Sequence, residues 1–102
     1  MSRMEAAKGM GAFDLLDTQA QEHLLAWIKE NLFSVQAMNY DHGSASLKRV
    51  FDSSYPNEER FITEWEFRGA MVKSGFEYRD ENGQWYFNLS KKSPALVLLR
   101  KK

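Results

Sequence analysis

The sequence contains no cysteine, only two prolines and no long apolar stretch. The absence of cysteine excludes disulfide bonds and thiolate sites for metals or redox chemistry. No run reaches the roughly 18 apolar residues of a membrane span, and the first residues lack the apolar segment of a signal peptide. A chain of 102 residues has the size of one domain, so we expect a single small cytoplasmic domain without a membrane partner.

Charge of one sign is not in excess either, because 14 basic and 14 acidic side chains give a formal net charge of zero. Residues 1–41 carry six acids and three bases, whereas residues 42–102 carry eight acids and eleven bases. Five bases and no acid follow Asn88. We interpret residues 91–102 as a basic tail that either meets a polyanion or only keeps the chain soluble. Residues 1–12 are predicted to be a flexible lead-in, and residues 13–90 the folded domain.

Aromatic side chains are abundant, and three segments have the pattern of helices. Thr18 and Gln21 have the spacing of a capping box, and apolar residues then recur at helical spacing as far as Leu32. A second helix is predicted to begin at Ser44 or Ser46, which suit its N-terminal cap. The intervening residues 33–43 contain several loop formers and predict an irregular connection.

The third predicted helix, residues 63–74, has a signal at each end. Thr63 and Glu66 form a second capping box, and Gly75 suits a left-handed C-terminal cap. The β-prone pair at residues 61–62 predicts a short strand just before this helix.

A β-hairpin is predicted after the third helix. Asn82-Gly83 is the favoured pair for a two-residue type I′ turn, and with this pair as the loop Arg79 opposes Tyr86. The opposite face of the hairpin is then apolar and is predicted to be buried. Its members on the second strand are Trp85, Phe87 and Leu89.

The order of these elements predicts an α+β fold of a particular kind. Two helices, a short strand, a capped helix and a hairpin are typical of a small winged helix-turn-helix-like domain, with three helices plus a C-terminal antiparallel β-hairpin. Residues 53–62 are longer than the tight turn of a simple helix-turn-helix, and the predicted strand accommodates this length.

Three strings of the sequence also resemble a group of small proteins. They are His42-Gly43-Ser44-Ala45-Ser46-Leu47-Lys48, then Glu66-Phe67-Arg68-Gly69-Ala70-Met71 with Gly75-Phe76, and Trp85-Tyr86-Phe87-Asn88-Leu89-Ser90. Over about residues 20–95 the chain is similar to uncharacterised proteins from bacterial phages and integrated elements. Members commonly have Ser-Tyr-Gly-Leu-Lys where this chain has Ser44-Ala45-Ser46-Leu47-Lys48. The resemblance implies a mobile-element origin and no particular activity.

Signals for catalysis, metals or cofactors are weak. Asp41, His42 and Ser44 are the residue types of a hydrolase triad, but side chains so close in sequence rarely reach one another in the required geometry. His23 has no companion at metal-ligand spacing. Gly9 lies in no phosphate-binding motif. We therefore predict a non-enzymatic protein without cofactor, metal site or small-molecule substrate.

The first functional hypothesis is nucleic-acid binding through helix 63–74 and the hairpin wing. Arg68 and Lys73 lie off the apolar stripe of the helix and are predicted to face a groove, as in a recognition helix. The full set of candidate contacts is Lys48, Arg49, Arg68, Lys73, Arg79, Lys91 and Lys92. Acidic neighbours and a pI near 6.7 favour the alternative that these are solvated surface charges.

The second hypothesis is a protein-interaction module that modulates a host protein, for example in a defence system. Exposed tryptophan, tyrosine and arginine are the residues that dominate protein interfaces. The predicted patch consists of Trp65, Arg68, Val72 and Tyr86. The alternative for Trp65 is a place in the core.

Overall fold

The computed structural model describes residues 3–54 and 62–100. These residues form five helices and a three-stranded antiparallel sheet with strand order β1-β3-β2. The helices are α1 Arg3–Asp14, α2 Thr18–Asn31, α3 Ser44–Ser54, α4 Glu64–Lys73 and α5 Pro94–Arg100. The strands are β1 Ser34–Asn39, β2 Tyr78–Glu81 and β3 Gln84–Leu89. The α+β class is as predicted, with more helices than the sequence pattern indicates.

The hairpin has the predicted register. Glu81 pairs with Gln84 and Arg79 with Tyr86. Asn82 and Gly83 both have positive φ, at 56° and 89°, as a type I′ turn requires. The apolar side chains of β3 are buried as predicted, and this confirms which face of the hairpin lies on the helices. They are Trp85, Phe87 and Leu89.

β1 occupies a segment that the sequence analysis predicts to be irregular, so that prediction is wrong. The strand pairs with β3, with Ser34 opposite Leu89 and Asn39 opposite Phe87, and an irregularity lies between these two pairs. Most of its side chains are exposed on both sides, so the alternation that normally indicates a strand is missing. The predicted strand at residues 61–62 is not formed at Ile62, and Phe61 lies outside the described residues.

The helix ends agree with the sequence signals in part. Thr63 and Glu66 form the predicted capping box of α4, and beyond its last turn the N–H groups of Gly75 and Phe76 return to helix carbonyls. At α2 the N-cap is Asp17 rather than Thr18. Gln21 instead donates its side-chain N–H to carbonyls at the end of α1 and in the following turn.

Most of the predicted lead-in is helical, which corrects its assignment as flexible. α1 packs on α4 with the backbone of Gly9 against that of Gly69, and Phe13 is buried behind this contact. A Cβ atom at position 69 would overlap the Gly9 carbonyl oxygen and lie 2.9 Å from Phe13 Cβ. Because glycines rather than large apolar side chains make this helix contact, the sequence of α1 shows little of the apolar periodicity that indicates a packed helix.

The predicted basic tail is also partly structured. Residues 94–100 form α5, in which Ala95 and Leu96 are buried, while Lys101 and Lys102 lie outside the described residues. With α1 on one side and the remaining core on the other, α4 is central, and five successive residues of it are buried. They are Phe67, Arg68, Gly69, Ala70 and Met71.

Candidate functional site

Arg68, which the sequence analysis places on an outward face, is only 7% exposed. The prediction assumes that α4 has one buried stripe, but the start of α3, the hairpin turn and the rings of Trp65 and Trp85 cover the side of the helix that carries Arg68. The Arg68 guanidinium therefore lies inside the protein, where its Nη2 donates to Glu64 Oε2 at 2.7 Å and to the Gly83 carbonyl oxygen at 2.9 Å. These partners leave Arg68 unsuited to contact a nucleic-acid groove.

Ser44, at the start of α3, completes this arrangement, which we call the Arg68 cluster: Ser44, Glu64, Arg68 and the Gly83 carbonyl. The Ser44 hydroxyl is fully buried, accepts from Arg68 Nε at 3.0 Å and donates to Glu64 Oε2 at 2.6 Å. The cluster thus joins the first turns of α3 and α4 to the hairpin turn, and its role is structural.

The Arg68 cluster favours the ionised form of Glu64. Burial raises the pKa of Glu64, but the hydrogen bonds from Ser44 and Arg68 and the positive charge of Arg68 outweigh this effect. The pKa of Glu64 consequently lies below its ordinary value, and the carboxylate is the form that the fold stabilises. Its position in the first turn of α4 adds to this preference, because the N-terminal end of a helix favours negative charge.

Aromatic rings surround the Arg68 guanidinium. Its Cζ atom lies 4.7 Å from the ring centroid of Trp65 and 5.0 Å from that of Trp85. Tyr78 stacks on Trp85 at 3.8 Å with an angle of 10° between the rings. Trp65 is partly buried against the core, and the face of its ring packs on the Arg68 guanidinium.

The other predicted nucleic-acid contacts do not converge on one surface with Arg68. Lys48 forms an ion pair with Asp52 at 2.6 Å, and Lys73 forms one with Asp14 at 3.1 Å, so acids accompany both bases. The remaining members of the set are exposed in different parts of the fold, on α3, on β2 and in the turn before α5. They are Arg49, Arg79, Lys91 and Lys92.

The predicted protein-interface patch is divided in the same way. Trp65 contacts the ring of Trp85, whose side chain points to the helices, whereas Tyr86 is the next residue and faces the other side of the sheet. Val72 is partly buried against the core. The four residues therefore do not form one surface. Of the four, Tyr86 alone lies on the side of the sheet that faces away from the helices.

The open side of the sheet carries a group of side chains that we call the outer sheet face: Val35, Tyr40, Arg79 and Tyr86. The ring of Tyr40 lies 5.3 Å from that of Tyr86, and Tyr40 is half exposed. Arg79 pairs with Tyr86 across the hairpin and is exposed. Tyr40 is absent from the sequence-based sites because it follows β1, and the pairing of β1 with β3 has no local signal.

Residues 3–54 and 62–100 contain no group of three or more His, Cys, Asp or Glu side chains that could hold a metal ion. No helix within these ranges is long and apolar enough to cross a membrane.

Comparison with known proteins finds no match to this chain among protein-family models, curated proteins or solved structures.

Proposed function

We propose that residues 18–89 are a winged-helix variant in which α2, α3 and α4 are the three helices and the β2–β3 hairpin is the wing. The element order supports this, since a strand follows the first of these helices and the hairpin follows the last. The pairing of β1 with β3 supports it further, because it joins the wing to the helical part of the domain.

We further propose that this domain is a non-enzymatic module that binds another protein through the outer sheet face. The observation that carries the proposal is the pair formed by exposed Tyr40 and partly buried Tyr86, with exposed Arg79 opposite Tyr86 in the hairpin. Large aromatic side chains bury much area for little conformational entropy, and with arginine they supply most of the binding energy at protein interfaces. The phage-like strings of the sequence favour a bacterial host protein as the partner.

Nucleic-acid binding through α4 is the weaker candidate for two reasons. Arg68 is occupied within its cluster, and α1 covers α4 at the contact between Gly9 and Gly69. Exposed acids also lie near Arg79 and weaken its attraction for phosphate, namely Glu77 immediately before β2 and Glu81 at its end.

The experiment is capture from a nuclease-treated bacterial lysate by the immobilised protein, followed by affinity measurement with the purified partner. We expect Tyr86→Ala and Tyr40→Ala each to weaken binding by about 30-fold, the effect of a hot-spot truncation of about 2 kcal/mol. Lys92→Ala is the matched control, because this exposed side chain lies outside the outer sheet face and its loss should leave affinity unchanged.

A captured partner that is lost when the lysate is treated with nuclease would contradict the proposal. Binding of labelled duplex DNA that weakens steeply with added salt, and that is lost in the combined Arg49→Ala and Lys92→Ala variant, would favour the nucleic-acid function instead. Tyrosine truncations that leave partner affinity intact would also contradict the proposal.

A further inference from the structure

The two edges of the sheet differ in charge. β2, at one edge, consists of a tyrosine followed by three charged residues, Arg79, Asp80 and Glu81. β1, at the other edge, reads Ser-Val-Gln-Ala-Met-Asn and contains neither a charged residue nor a proline. Charged side chains are a usual means by which proteins prevent an edge strand from pairing with another chain, and of these two edge strands only β2 carries them.

Exposed apolar side chains collect at the same edge. Of the four large hydrophobic residues that are exposed within the described ranges, three lie in β1 or immediately beside it. They are Phe33, Val35 and Tyr40, which are 46%, 43% and 50% exposed. Such a concentration on a small domain is typical of a surface that becomes covered.

The backbone of β1 is oriented for pairing at its start. The N–H of Ser90 donates to the carbonyl oxygen of Phe33 at 2.7 Å, and Ser34 lies opposite Leu89. In an antiparallel ladder this arrangement makes Ser34 and Leu89 a non-hydrogen-bonded pair. The N–H and carbonyl of Ser34 therefore point away from β3, toward the open edge.

We infer that β1 pairs with β1 of a second copy of this chain, in antiparallel orientation, to form a continuous six-stranded sheet. A twofold axis at Val35 places each Ser34 opposite a Gln36 and brings the two Val35 side chains together. Because the strand is uncharged, no like charges meet at this axis. The formal net charge of zero also means that two copies do not repel each other at a distance.

The test is sedimentation equilibrium of the purified chain over a series of concentrations. We expect a monomer–dimer equilibrium that Ser34→Pro weakens roughly tenfold or more, because proline removes the outward N–H but is tolerated where an edge strand faces solvent. Ser34→Ala is the matched control, since it keeps the N–H and should associate as the wild type does. Equal far-UV circular dichroism of the two variants shows that both are folded.

A charge exchange at Val35 tests the same pairing without altering the backbone. Val35→Lys and Val35→Glu should each be monomeric, and an equimolar mixture of the two should regain dimerisation, because opposite charges then face each other across the axis. A wild type that stays monomeric up to about 1 mM, or a mixture that fails to associate, overturns the inference. Self-association is measured without any other partner, so its outcome is independent of the proposed function.

Discussion

Replacing Arg68 by alanine distinguishes a structural arginine from a nucleic-acid contact. The change removes the hydrogen bonds from the guanidinium to Ser44, Glu64 and the Gly83 carbonyl, and its contacts with two tryptophan rings. Removing one partner of a buried ion pair costs about 3–5 kcal/mol. The Glu64 side chain keeps 36% exposure, so water partly solvates the carboxylate that is left. We therefore expect a loss near the lower limit, about 3 kcal/mol.

The assay is urea denaturation followed by tryptophan fluorescence and, independently, by circular dichroism. Arg79→Ala removes the same charge from an exposed position and should change the free energy of unfolding by less than about 0.5 kcal/mol. If Arg68→Ala lost less than about 1 kcal/mol, or no more than Arg79→Ala, the assignment of a structural role to the Arg68 cluster would be refuted.

Two further changes test the helix crossing and the charge of the cluster. Gly69→Ala should cost about 1–3 kcal/mol in urea denaturation, because its Cβ overlaps the Gly9 carbonyl oxygen; a gain in stability, as expected from helix propensity alone, would contradict the crossing. Since the pKa of Glu64 is lowered, the ionised carboxylate stabilises the fold above the ordinary value of about 4.3 and this contribution is lost as the pH falls through the lowered pKa. Thermal unfolding midpoints over a pH series should therefore fall less steeply below about pH 4.3 in Glu64→Gln than in the wild type, and parallel curves would exclude the shift.

The elements that could be predicted from the sequence are those with local signals. The Asn82-Gly83 turn determines the hairpin register, because the side chains of a strand alternate and the turn sets which pairs face each other. The capping box at Thr63 likewise marks the start of α4. Both signals lie within a few residues of the structure they specify, so no knowledge of the rest of the fold is needed.

The parts that could not be predicted depend on distant contacts. β1 is held by β3, about 50 residues later in the chain, and its exposed side chains give no alternation. The orientation of Arg68 depends on Ser44, which precedes it by 24 residues, and on the Gly83 carbonyl, which follows it by 15. The packing of α1 on α4 depends in turn on the contact between Gly9 and Gly69. An apolar stripe on α4 indicates one buried face of the helix, but it cannot indicate that a second helix covers the opposite face.

The pairing of early with late segments has a consequence for synthesis on the ribosome. Gly9 meets Gly69, and Phe33 meets Ser93 through a hydrogen bond that spans 60 residues. At about 5–20 residues per second, segments 60 residues apart emerge roughly 3–12 s apart. During that interval α1 has no α4 to pack on, and β1 has neither its partner strand nor any charge to deter other strands. A nascent chain that pauses before β3 is made therefore exposes an uncharged segment with which neighbouring nascent chains can pair.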